Sequence, residues 1–167
     1  MKLPVDFKEF IELMIAARVR FVMIGGYAYN LYRNPRATGD IDFWWWLTMR
    51  STNAVYGSYL SSSGFGSTLT SDRLLEDEKV IMLGRSPLRI DILTSISGVT
   101  FEEVEATCNT YSVDGIELPV ISPEMLLRNK EACRSGEGLS RCGRVTRLVG
   151  QTVILRAEPE QPIACHC

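Results

Sequence analysis

Apolar and polar positions alternate with two different periods along this chain. Phe7, Phe10, Ile11, Met14 and Ile15 recur at intervals of three and four, which predicts an amphipathic helix reaching about Arg18. Asp6 followed by Glu9 reads as a capping box at its start. Residues 21–24 are a short unbroken apolar run, a buried strand that Gly25-Gly26 stops. Residues 27–32 begin a second helix, broken at Asn34-Pro35. A second strand follows from Asp40 to about Trp46. Residues 51–62 carry only a weak helical pattern, diluted by Ser and Gly. Residues 79–83 and 88–93 predict two strands joined by a turn at Gly84-Arg85-Ser86-Pro87. Thr100 starts a short helix with Glu102 and Glu103 in its first turn. Residues 111–113 and 116–120 flank Asp114-Gly115, a hairpin signal. Ser122-Pro123 opens a last helix running through Met125, Leu126 and Lys130, with Pro at the first helical position. This mixture predicts an α/β (α+β) fold, and no internal repeat is evident.

Composition narrows the class. The 167 residues are 46% hydrophobic and 23% charged, as in a globular domain with a real core. A net charge of −2 supplies no strong general attraction to nucleic acid or anionic membrane, though a local basic patch stays open. The first residues, MKLPVDFKEFIELM, carry charges throughout and do not form an export signal. No apolar stretch approaches the roughly 18 residues of a membrane span. The expected location is the cytoplasm.

Cysteine usage agrees with that location. Cys108 stands alone, while Cys133, Cys142, Cys165 and Cys167 crowd the last 35 residues. A secreted disulfide scaffold spreads its cysteines, so these read as reduced thiols. Cys165-His166-Cys167 is poor geometry for tetrahedral zinc. His166 is the only histidine, which removes Ser-His and Cys-His chemistry from the body of the chain.

The chemistry concentrates in "GGYAYNLYRNPRATGDIDFWW", residues 25–45. Buried carboxylates are costly unless their charge is compensated. Side chains two apart on a strand share a face, so Asp40 and Asp42 point the same way, with Cα atoms about 6.6 Å apart. Both can converge on hard cations such as Mg²⁺ or Mn²⁺. Asp91, in "LRIDILT", interrupts another apolar run and offers a third carboxylate. Gly25 and Gly26 let a backbone turn approach a phosphate with no Cβ in the way. Trp44, Trp45 and Trp46 cannot all face one core. One of their faces is expected to be exposed or covered by a partner.

Together these features resemble the nucleotidyltransferase superfamily typified by DNA polymerase β. Its signature is a Gly-Gly or Gly-Ser turn opening a helix, an Asp-x-Asp strand about a dozen residues on, and a third acid on a later strand. Here thirteen residues separate Gly26 from Asp40. "FVMIGGYAYNLYRNPRATGDIDF", "RIDILTSISGVTFEE" and "ISPEMLLRNKEA" look most like the small bacterial AbiEii/MNT-like enzymes of toxin–antitoxin systems. The likeness covers about residues 5–132.

The resemblance implies a nucleotidyltransferase fold, a mixed β-sheet with helices packed mainly on one face. It implies a metal-dependent transfer of a nucleoside monophosphate from an NTP, with ATP the expected donor, to a protein or RNA hydroxyl. Asp40, Asp42 and Asp91 would be the catalytic and metal-binding residues. Gly25, Gly26, Arg36, Thr38 and Lys130 would contact the nucleotide. Arg36 and Thr38 read equally as a soluble loop with an Asp partner, and Lys130 as a solvated helix lysine. The alternative function is an antitoxin-like protein, catalytically impaired, that neutralises a toxin partner by contact.

Residues 133–167 depart from that pattern, and the chain divides into a nucleotidyltransferase-like domain over 1–132 and an atypical tail. The tail is rich in cysteine and arginine with little helical period; only residues 149–155 have strand-like content. With suitable codons for residues 136–145, dropping one base yields GKDYLDAEE, which resembles the family's ending. A frame slip is therefore one reading of the tail and, more weakly, of residues 45–61.

Overall fold

The computed structural model describes residues 2–33, 37–46, 48, 53, 80–85, 88–135 and 153–155. Helix α1 (Val5–Ala16) is followed by strand β1 (Arg20–Ile24), helix α2 (Gly25–Tyr32) and strand β2 (Asp40–Trp46). Then come β3 (Val80–Arg85), β4 (Leu88–Leu93), α3 (Phe101–Thr107), β5 (Asn109–Val113), β6 (Ile116–Val120), α4 (Pro123–Ser135) and β7 (Val153–Leu155). Apart from Asn53, the expected helix over 51–62 lies outside the described residues, as do Lys79 and Ser86-Pro87 of the expected turn. So does most of the tail: residues 133–135 extend α4, and Val153–Leu155 pairs with β3 as a short parallel strand.

The strands form one mixed sheet in the order β5-β6-β1-β2-β4-β3-β7. β2 lies between antiparallel β1 and parallel β4, at the centre of the sheet. No helix among the described residues is long and apolar enough to cross a membrane.

Helix α1 begins differently from the expected capping box. Pro4 is its N-cap, with no side-chain cap, and the helix opens on the bond from Lys8 N to Pro4 O. Asp6 thus falls inside the first turn, where its charge favours the helix dipole without capping. At the other end Arg18 adopts φ 54°, while Arg18 N bonds Ile15 O and Val19 N bonds Met14 O. That is a Schellman closure built on a non-glycine residue.

Two other local signals appear in the structure. The Thr100 hydroxyl accepts from Glu103 N, and Glu103 reaches back to Thr100 N, a complete capping box for α3. Asp114 and Gly115 both take positive φ, 52° and 83°, as a type I′ hairpin turn requires.

Helices pack on both faces of the sheet, where helices mainly on one face were expected. Trp44 and Trp45 are strand neighbours and must point opposite ways, so each face needs an apolar cover. Phe10 of α1 stacks on Trp45 at 5.9 Å, and the Trp45 indole N–H meets Met14 Sδ at 3.0 Å. On the other face Phe101 of α3 packs edge-on against Trp44 at 5.2 Å. The Trp44 indole N–H donates to Thr94 O. Both tryptophans are therefore buried by the chain itself, and only Trp46 remains substantially open, at 38% exposure. Phe7, Phe10, Ile11 and Met14 are buried along one stripe of α1. Each such side chain is worth about 1.5–3 kcal/mol.

Candidate functional site

The sheet centre sets the site. The β2–β4 register pairs Asp42 with Asp91 and Asp40 with Arg89. Paired residues on adjacent strands share a face, so three carboxylates and one guanidinium project together. Carboxylate oxygens of Asp40, Asp42 and Asp91 all lie within 4.8 Å of one another, an acidic group that could hold a metal ion. An all-carboxylate oxygen set suits a hard cation.

The expected turn lies directly against this group. Gly25 has φ 68°, and a Cβ there would sit 2.1 Å from Asp42 Oδ2. A Cβ on Gly26 would meet the Thr38 hydroxyl at 2.8 Å. The lack of a Cβ at both glycines makes room for Asp42 and Thr38. The Gly26 amide donates to Asp42, and the Thr38 hydroxyl donates to Asp40 Oδ1 at 3.0 Å.

Arg89 was not among the residues expected from the sequence. Its Nε and Nη2 fork onto the two Asp91 oxygens at 2.7 and 2.8 Å, and Nη2 also reaches Asp40 Oδ2 at 2.7 Å. Its position two residues before Asp91 was a usable signal, because the rule that pairs Asp40 with Asp42 also pairs Arg89 with Asp91. Two of the three carboxylates consequently share one guanidinium within the chain, one positive charge against two negative ones. Among the described residues Asp42 forms no ion pair.

The electrostatics follow from that asymmetry. Burial, then repulsion from Asp91 and Asp40, pushes the Asp42 carboxyl up to about 7. Burial also raises Asp91, although the Arg89 bonds pull the other way. Asp91 is the deepest of the three, its side chain 5% exposed against 41% for Asp40.

These groups line a cleft of about 380 Å³. Gly25, Gly26, Thr38 and Lys130, all expected at a nucleotide site, line it together with the three aspartates. Arg36 lies outside the described residues. Lys130 arrives from α4, its ammonium 4.3 Å from the centre of the Tyr29 ring. Helix α4 is held at the rim by Asn129, whose Nδ2 donates to Ser97 O at 2.9 Å. Asn129 and Ser97 also line the cleft, and no sequence signal singled them out. The close approach of Gly98 to α4 needs a glycine, since a Cβ there would sit 2.5 Å from Ala132 Cβ at φ 80°.

Comparison with known protein families and with curated proteins finds no match.

Proposed function

We propose that this protein is a metal-dependent nucleotidyltransferase of the DNA polymerase β-like superfamily, close to the small AbiEii/MNT-like group. The observation that carries this reading is the convergence of Asp40, Asp42 and Asp91 beside the Gly25-Gly26 turn in one cleft. Separate sequence segments meet there in the arrangement that the resemblance implies.

In this reading Asp40 and Asp42 hold Mg²⁺ or Mn²⁺, and the hard oxygen donors fit either ion. The bound ion supplies charge neutralisation on the triphosphate. Lys130, at the rim, places a positive charge where phosphate oxygens enter. Thr38 fixes Asp40 by its hydrogen bond, and Gly26 fixes Asp42. An acceptor hydroxyl of a protein or RNA attacks the α-phosphorus, the bond to the β-phosphate oxygen breaks, and pyrophosphate leaves. The hydroxyl proton passes to Asp91 once Arg89 has left its oxygens. ATP is the proposed donor.

A second reading is favoured by one specific observation. Arg89 occupies both Asp91 oxygens, which leaves Asp91 no free oxygen for an ion or a proton while that pair holds. The chain is then an antitoxin-like protein that neutralises a partner by contact. Isothermal titration with Mg-ATP separates the two. The enzyme reading expects saturable, Mg²⁺-dependent ATP binding that the Asp42→Asn variant loses. Absence of ATP binding at millimolar Mg²⁺ refutes it.

A further inference from the structure

The acidic cleft already contains a cation. Arg89 makes three short hydrogen bonds, of 2.7, 2.7 and 2.8 Å, to the carboxylates of Asp91 and Asp40. They use both oxygens of Asp91 and Oδ2 of Asp40, while the Thr38 hydroxyl uses Oδ1 of Asp40. A planar guanidinium fork is the geometry that best matches a carboxylate, so this arrangement competes strongly with any other cation. Asp42 stands apart as the carboxylate with no cationic partner among the described residues.

We propose that Arg89 is the resident counter-cation of the cleft: a first divalent ion binds at Asp42 and shares Asp40 with Arg89, and a further ion gains Asp91 only by displacing Arg89. This rests on the metal-dependent reading given above. The argument is one of charge and occupancy. A divalent ion on Asp91 needs oxygens that Arg89 holds, and it repels a guanidinium a few ångströms away. Arg89 therefore makes the count of bound ions a property of its own position. A purely structural role has the opposite consequence. If Arg89 only fastens β4 to β2, its removal loosens the carboxylates and weakens metal binding. If it competes, its removal strengthens binding.

The test is titration of the full chain with Mn²⁺ alone, following free Mn²⁺ by electron paramagnetic resonance. The wild-type chain is expected to bind one ion tightly. Arg89→Met, which keeps bulk and removes charge, is expected to bind two ions, or one ion about tenfold more tightly or better. Arg89→Lys, which keeps the charge, is expected to behave as the wild type in number of ions. Equal or weaker Mn²⁺ binding by a folded Arg89→Met variant, with circular dichroism checking the fold, overturns the proposal while leaving the metal site intact. Two equivalent ions on the wild-type chain overturn it too, without recourse to any variant. No Mn²⁺ binding by any of the three proteins overturns both this proposal and the metal-dependent reading.

Discussion

Replacing Asp42 with Asn should stabilise the metal-free protein at alkaline pH, although it removes a residue at the heart of the site. The Asp42 carboxyl stands at about 7 in the folded chain against 3.8 for the free group, chiefly because it is buried. A carboxyl whose folded value is raised binds its proton more tightly when folded. Its ionisation therefore opposes folding, and wild-type stability should fall as pH rises from about 4 to about 7, then level off. A gap of about 3 pH units at about 1.4 kcal/mol each gives a ceiling of about 4 kcal/mol. Asn is neutral at every pH, keeps the shape, and can still accept from the Gly26 amide. Asp91 is also raised, so it adds a slope of the same sign in both proteins, and the difference between them reads Asp42 together with its repulsion from Asp91.

Urea unfolding in EDTA, at steps from pH 4.5 to 8, measures both proteins. The two curves should nearly meet at the acid end and diverge with rising pH, with the Asn variant up to about 4 kcal/mol more stable at pH 8. Saturating Mg²⁺ should then stabilise the wild type and not the variant, since a ligand favours the state that binds it. An Asn variant less stable than wild type at pH 8 in EDTA, or parallel curves across the whole range, refutes the reasoning.

Three further outcomes follow from the backbone and the caps. Gly25→Ala should cost at least about 1–3 kcal/mol in urea unfolding, because Ala is strained at φ 68° and its Cβ would overlap Asp42 Oδ2. It should also weaken Mn²⁺ binding by pushing Asp42 aside. Thr100→Ala removes one half of the α3 capping box and should lower stability by about 1 kcal/mol, whereas Thr100→Ser should restore most of it. Arg18→Gly should raise the melting temperature, with a gain of about 1 kcal/mol, because Arg18 holds a left-handed conformation in the Schellman closure of α1.

The local rules of the sequence determined a large part of what the site needed. Asp-Ile-Asp in an apolar run placed two carboxylates on one face, since a strand has a period of two whatever it packs against. Asp114-Gly115 and Thr100-x-x-Glu103 specified a hairpin turn and a helix start for equally local reasons. Where a local signal competed with another, it misled. Asp6 and Glu9 looked like a cap, but the helix had already begun at Val5 behind Pro4. The tertiary structure alone decided that Asp91 lies beside Asp42, because a parallel register between β2 and β4 joins residues far apart in the chain. It also decided the charge state of the site. Burial raises Asp42 and Asp91, and burial depends on everything packed around the sheet. The glycines show the same division. Their place after β1 was readable, but the neighbours that require them, the Asp42 carboxylate and the Thr38 hydroxyl, are set by how β2 and its approach fold back over the turn. Arg89 stands between the two cases. Its shared face with Asp91 was written in the sequence, while its reach across to Asp40 exists only because two strands lie side by side.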